Sequence, residues 1–100
     1  MTDRENAVER HLREMTERHG SQCIKVSPDY VRGLPDRLIL LPDRRVVWVE
    51  TKRPKDSRVA AAQKARHVQL RKLGHDVHVV FTKEQADALI KELFGVVTVL

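Results

Sequence analysis

Residues 33–52 read GLPDRLILLPDRRVVWVETK, and this stretch decides the fold. Two apolar runs, 36–41 and 45–51, flank Pro42, Asp43 and Arg44, a pattern that predicts a β-hairpin. Both alternating faces of the hairpin are apolar, because Leu38, Leu40, Val46 and Trp48 alternate with Ile39, Leu41, Val47 and Val49. A sheet that is apolar on both faces must be covered on both, so helices are expected on each side.

Helical periodicity lies on both sides of the hairpin. Residues 3–19 carry Val8, Leu12 and Met15 at the helical repeat, and residues 57–73 and 83–94 predict two further helices. Short strands are predicted at 22–26, 77–81 and 96–100. The order αβββαβαβ predicts an α/β fold in which a mixed sheet is flanked by helices. A helix between the third and fourth strands implies some parallel pairing.

Length and composition limit the classes of protein. The 100 residues, 41 % of them hydrophobic, suit one domain spanning 1–100. A lone cysteine excludes an internal disulfide framework, and no apolar run approaches a membrane span. With a charged start in place of a signal peptide, the chain is expected to be cytoplasmic. Its net charge of +5 predicts a polyanionic partner or serves solubility alone.

A pair of carboxylates is expected at the open end of the hairpin. Glu50 and Lys52 are two residues apart on a strand and share a face. A three-residue loop places Asp36 directly opposite Glu50. Two carboxylates this close repel each other unless a cation lies between them, and oxygen ligands suit Mg²⁺ or Mn²⁺. A simple ion pair with Lys52 at the sheet edge accounts equally well for the spacing.

Two further polar residues are expected on inward faces of helices. Glu5 lies three residues before Val8 and extends the apolar stripe of the first helix, although Thr2 and Glu5 also have capping-box spacing. Gln63 lies within the stripe of the second helix that Val59, Leu70 and Leu73 define. A buried amide needs a partner, which is either the acidic pair or nearby backbone.

The ordered set Pro35-Asp36, Glu50-Thr51-Lys52 and Gln63 resembles the PD-(D/E)XK nuclease superfamily. It is most similar to the VRR-NUC (virus-type replication-repair nuclease) family in its stand-alone phage and bacterial form. The resemblance runs from Glu5 to about Val80 and includes the leading helix, the Gly-x-Pro-Asp turn and the glutamine-bearing helix.

The resemblance implies a role for each matching residue. Asp36 and Glu50 would bind Mg²⁺ or Mn²⁺, with the backbone carbonyl of Thr51 as a third ligand. Lys52 would position or activate the attacking water, Gln63 would orient it, and Glu5 would hold a water bound to the metal. Basic residues around this site are candidate DNA contacts or a solvated rim, namely Arg32, Arg53, Lys55 and Arg58.

The sequence therefore predicts a metal-dependent DNA endonuclease that hydrolyses phosphodiester bonds. Its stand-alone form resembles Holliday-junction resolvases, which act as homodimers on branched DNA in a bacterial cell or a phage-infected host. A flap, fork or duplex endonuclease of the same family is the alternative within the class. A catalytically silent nucleic-acid-binding module is the alternative outside it.

Overall fold

A computed structural model describes residues 5–27, 31–53 and 59–95 of the chain. Their elements follow the predicted order, and the strand predicted at 96–100 lies outside the described residues. In chain order the elements are α1 (Ala7–Arg18), β1 (Gln22–Lys25), β2 (Arg37–Leu40), β3 (Val46–Thr51), α2 (Ala61–Lys72), β4 (Asp76–Val80) and α3 (Lys83–Phe94).

The described strands form one mixed sheet in the order β1-β2-β3-β4. β1–β2 and β2–β3 are antiparallel, whereas β3 and β4 pair in parallel across the α2 connection. In the hairpin, Arg37 pairs with Val49 and Leu40 with Val46, which confirms the predicted register. Asp43 and Arg44 close the turn at φ of 61° and 63°, so the tight connection places two non-glycine residues in the left-handed region.

The main core lies on one face of the sheet, under α1 and α3. Ile39, Val47 and Val49 are fully buried there, together with Leu12 of α1 and Ala86 of α3. The other face is covered by α2, from which His67 and Leu70 are buried. This second cover is incomplete, since Ile24 is 41 % exposed and Leu38 and Leu40 are half-buried. The predicted sandwich is therefore confirmed, but it is closed more tightly on one side.

The first two helices begin later than the sequence pattern predicts. α1 starts at Ala7, because Asn6 accepts a hydrogen bond from the backbone N–H of Glu9 at 2.7 Å and takes the N-cap position. α2 starts at Ala61 with Ala60 as its N-cap, so residues 59 and 60, expected to be helical, are not. The predicted caps Thr2, Asp56 and Ser57 lie outside the described residues.

The third helix matches its predicted bounds, and its cap differs in one contact. The Thr82 hydroxyl accepts the Gln85 N–H at 3.0 Å, as expected of a capping residue. The Gln85 side chain reaches back to the N–H of Phe81 at 2.7 Å rather than to that of Thr82. Within the described part of the chain, no helix combines the length and apolar composition that a membrane crossing requires.

Candidate active site

The carboxylates of Asp36 and Glu50 meet at the end of the hairpin away from its turn. The register that pairs Arg37 with Val49 brings Asp36, the residue before β2, opposite Glu50 of β3. The Asp36 charge raises the pKa of Glu50, so the two groups interact through space. The hairpin register thus brings the two predicted metal ligands together at the carboxyl end of β3.

Asp36 is oriented by Thr51. One Asp36 oxygen accepts the backbone N–H of Thr51 at 2.9 Å, and the other accepts its hydroxyl at 2.7 Å. Burial raises the pKa of Asp36, and these two hydrogen bonds oppose that rise. Thr51 is itself buried, so the Asp36 carboxylate is fixed against a rigid part of the sheet.

Glu50 is a buried carboxylate with little compensation. Only 3 % of the residue is exposed, and burial, followed by the charge of Asp36, raises its pKa to about 7. Lys52 Nζ lies 3.8 Å from Glu50 Oε2, and Lys52 and Gln63 both oppose the rise. The other oxygen, Oε1, is buried without a hydrogen-bond partner. The Lys52 charge and the Gln63 hydrogen bond therefore do not offset the cost of burying the Glu50 carboxylate beside Asp36.

The inward stripe predicted for the second helix is wrong in two of its positions. Val59 precedes α2, and Leu73 at its C-terminal end is 76 % exposed. The buried residues of α2 are His67 and Leu70, and Gln63 is half-buried one turn before His67. The side-chain oxygen of Gln63 accepts the Ala60 N–H at 3.1 Å. The Gln63 side chain also hydrogen-bonds Glu50, which lowers the pKa of that carboxyl group. The spacing of Gln63 and His67, four residues on one helix, was the signal that could have found the histidine.

The helical position predicted for Glu5 is also wrong, although its side chain does face the sheet. Glu5 precedes α1, where it pairs with Arg13 at 2.6 Å and with Arg37 at 2.6 Å. The Arg13 hydrogen bond is the main reason that its pKa lies below the usual range. Because α1 starts at Ala7, the buried carboxylate of the helix is Glu9 instead.

Glu9 belongs to a buried ion network between α1 and the strands β1 and β2. Its Oε2 accepts from Arg37 Nε at 2.9 Å and from Lys25 Nζ at 2.7 Å. Arg37 also donates to the Cys23 carbonyl at 3.1 Å. The network ties α1 to the residue that follows Asp36. Glu9 was not among the predicted site residues, although its spacing of three residues from Leu12 places it on the apolar face.

Two of the four basic residues predicted around the site lie in the described part of the chain. Arg32 and Arg53 are exposed, whereas Lys55 and Arg58 lie outside the described residues. The Arg32 carbonyl accepts from Arg66 Nε at 3.1 Å, which fixes the loop before Asp36 against α2. Lys64 was not predicted; with Lys52, Val59, Ala60 and Ala61 it lines an open cavity of about 490 Å³ at the start of α2.

The oxygen donors of the site fit a hard divalent cation. Among the described residues, no three histidine, cysteine or acidic side chains are close enough to hold a metal by themselves. A cation between Asp36 and Glu50 would therefore complete its shell with backbone carbonyl and water oxygens, as Mg²⁺ and Mn²⁺ do. The raised pKa values of both carboxyl groups are the feature that such an ion would relieve.

Comparison with known proteins places this geometry in a family. No protein-family model matches the chain. A protein of Acyrthosiphon pisum secondary endosymbiont phage 1, named "Putative nuclease p44", is 33 % identical over 86 residues, which are 86 % of this chain and 91 % of that protein. A solved structure described as a VRR_NUC domain is similar with a TM-score of 0.78 at 32 % identity, over 84 % of this chain and 90 % of the other. The mixed sheet, the Asp36 and Glu50 pair and these two likenesses show that the chain belongs to the VRR-NUC family of PD-(D/E)XK nucleases.

Proposed function

We propose that the protein is a DNA endonuclease that requires Mg²⁺ or Mn²⁺ held by Asp36 and Glu50. The observation that carries the proposal is the pair of half-buried Asp36 and buried Glu50, in which burial and then the Asp36 charge raise the pKa of Glu50 to about 7. Lys52 Nζ lies 3.8 Å from Glu50 Oε2, which is too far for a hydrogen bond, and its charge does not hold the pKa of Glu50 at the usual value. An exogenous cation is the simplest group to complete the site.

Each residue of the site has a task in this proposal. Asp36 and Glu50 hold the ion, and the Thr51 carbonyl is its third protein ligand. Once bound, the ion supplies Lewis-acid chemistry at the scissile phosphate. Lys52, half-buried beside Glu50, orients the attacking water and moves its proton, and Gln63 limits the orientations of that water. Glu5 is paired with Arg13 and Arg37, so its proposed contact with a metal-bound water needs one of those pairs to open.

Branched DNA is the substrate class that we favour. A four-way junction offers two strands to cut, and a two-fold homodimer brings two matched sites to them. The incompletely covered sheet face, with Ile24 exposed, provides apolar surface for such a dimer. Exposed Arg32 and Arg53, with Lys55 and Arg58, are the proposed phosphate contacts. The phage source of p44 supports action on DNA in the cytoplasm of a bacterial or phage-infected cell.

The test is cleavage of labelled four-way junctions, flaps, forks and duplexes with Mg²⁺, with Mn²⁺ and with a chelator. We expect cleavage only with a metal, fastest on the junction, and none by Glu50→Gln. Glu84→Gln, an exposed glutamate in the first turn of α3, is the control and should cleave normally. Metal-independent cleavage, or full activity of Glu50→Gln, contradicts the catalytic assignment. DNA binding without cleavage identifies a binding module instead.

Light scattering tests the dimer. A mass of twice 11.6 kDa is expected with and without DNA. A monomer that cleaves flaps or duplexes as fast as junctions favours the flap, fork or duplex nuclease.

A further inference from the structure

Unpartnered polar atoms gather on the α2 side of the sheet. Of the side-chain nitrogen and oxygen atoms in residues 5–27, 31–53 and 59–95, three are buried without a hydrogen bond: Trp48 Nε1, Glu50 Oε1 and His67 Nε2. Trp48 and Glu50 share a strand face, and His67 reaches the same layer from α2. Leaving such an atom unpaired costs about 1–3 kcal/mol, so we expect two of these atoms to form a hydrogen bond in another state of the protein.

His67 and Glu50 face each other directly. Nε2 of His67 lies 3.7 Å from Oε1 of Glu50, and only 4 % of either side chain is exposed. A hydrogen bond between nitrogen and oxygen needs about 2.7–3.2 Å. The gap is thus too long by roughly 0.5–1 Å, a distance that rotation of the Glu50 carboxylate about its soft terminal torsion covers.

We propose that His67 is a positioning residue for Glu50, donating its Nε2–H to Oε1 when Glu50 holds the metal. The donation fixes the plane of the carboxylate and presents Oε2, the oxygen nearer Lys52 Nζ, to the ion. Carboxylates that bind metals are commonly held by such an outer hydrogen bond, whose loss costs about 10–100-fold in metal affinity or activity. The inference rests on the proposed metal site at Asp36 and Glu50 and assigns it a residue that the family motif does not include.

Substitutions at His67 separate the hydrogen bond from packing. The Nε2 of a glutamine side chain falls close to Nε2 of histidine, whereas the amide of asparagine is too short to reach it. We expect His67→Leu and His67→Asn to weaken Mn²⁺ binding by about 10–100-fold, measured by titration of the metal alone. His67→Gln should restore affinity to within about threefold of the parent. Leu70→Val, which shortens a buried neighbour on the same helix, should lower Tm without changing Mn²⁺ affinity.

Three outcomes overturn the inference. One is unchanged Mn²⁺ affinity in both His67→Leu and His67→Asn. Another is equal affinity in the asparagine and glutamine variants, which would indicate packing alone. The third is a nitrogen coupling from His67 in pulsed EPR of the Mn²⁺-bound protein, which would make the imidazole a direct ligand.

A measurement without metal keeps this inference separate from the proposed function. At a pH above 8, where Glu50 is ionised, long-range ¹H–¹⁵N spectra of the metal-free protein should show His67 with its proton on Nε2, and the Nε2 signal should shift in Glu50→Ala. A proton on Nδ1 overturns the contact. Absence of both Mn²⁺ binding and cleavage in the parent protein refutes the proposed function, whereas the tautomer and its response to Glu50 report on the contact alone.

Discussion

Thr51 satisfies both oxygens of Asp36, one through its backbone N–H at 2.9 Å and the other through its hydroxyl at 2.7 Å. The residue between the two motif positions Glu50 and Lys52 therefore orients the carboxylate that stands across the hairpin. A hydrogen bond to a charged group contributes about 1.5–3 kcal/mol, which makes the hydroxyl measurable on its own.

Thr51→Val should remove that bond at nearly constant volume. We expect the free energy of unfolding to fall by about 1.5–3 kcal/mol in urea and cleavage to slow, because Asp36 loses one of its two anchors. Thr51→Ser should keep both. Thr16→Val is the matched control, since the buried Thr16 hydroxyl donates to the Leu12 carbonyl of its own helix, at 2.7 Å. An equal loss of cleavage in Thr16→Val would contradict a specific role for Thr51.

Lys52→Met should separate chemistry from metal binding. Removing a proton-transfer group costs about 10²–10⁴-fold in rate, so single-turnover cleavage should fall by at least about 100-fold. Mn²⁺ affinity should stay level or rise, because a positive charge 3.8 Å from Glu50 Oε2 is gone. Lys64→Met, at the rim of the same cavity, should weaken DNA binding and flatten its salt dependence while leaving the rate at saturating DNA. Parent-like cleavage by Lys52→Met would refute its role.

Glu50→Gln should stabilise the metal-free protein in a pH-dependent way. The pKa of Glu50 is raised from 4.5 to about 7, so the folded state prefers the protonated acid. The raised pKa stabilises the folded parent protein below about pH 4.5, and this stabilisation is lost as the pH rises to about 7. The advantage of glutamine should grow over that interval and level off above it, at no more than about 3 kcal/mol.

Thermal unfolding of both proteins from pH 4 to 8 without metal checks this, and the same series in a His67→Leu background removes the histidine that faces Glu50 at 3.7 Å. A difference in Tm that is independent of pH would contradict the raised pKa. Saturating Mn²⁺ should reverse the order at pH 8, since only the parent retains the carboxylate that binds it.

Arg37→Met should lower the free energy of unfolding, because it breaks the buried ion network that links α1 to β1 and β2. Breaking a buried ion pair by removing one partner costs about 3–5 kcal/mol, here because Glu9, itself only 3 % exposed, loses its bond to Arg37 Nε. The double variant Arg37→Met/Glu9→Gln should recover a large part of that loss in a urea unfolding series. Additive effects of the two changes would contradict direct coupling.

Gly33→Ala should disturb the packing of the loop before Asp36 against α2. A Cβ at Gly33 would clash with the Ala62 carbonyl oxygen, and the residue has φ of +82°. Gly20→Ala separates the two causes, because Gly20 has φ of +81° and open space around it. We expect about 1 kcal/mol of destabilisation in Gly20→Ala and clearly more in Gly33→Ala, with slower cleavage only in the latter. Equal effects would show that the contact with Ala62 is unimportant.

Much of this fold and the central pair were predictable, for identifiable physical reasons. The β2–β3 hairpin is defined by apolar runs and a short turn, and strand periodicity then leaves one register that buries Val47 and Val49. That register places Asp36 opposite Glu50 without any knowledge of tertiary structure.

The buried polar residues that the helices supply were less predictable, because they depend on where each helix begins. A start at Ala7 rather than residue 3 moves Glu5 out of the helix and leaves Glu9 as the buried acid. A start at Ala61 likewise leaves His67 and Leu70, rather than Val59 and Leu73, on the buried face. Periodicity locates an apolar stripe, whereas the side-chain hydrogen bonds of Asn6 and Gln63 select the first turn.

The turn at residues 42–45 begins about 20 Å from Asp36 along β2, at roughly 3.4 Å per residue, yet its length determines which residue faces Glu50. A one-residue insertion there, unless a bulge absorbs it, would bring Pro35 or Arg37 opposite Glu50 and turn Asp36 to the other face. Relatives should therefore vary very little in the length of this distant turn, and in its composition only among residues that tolerate the left-handed φ of positions 43 and 44. Deletions and insertions at the hairpin tip are expected to behave genetically like active-site lesions.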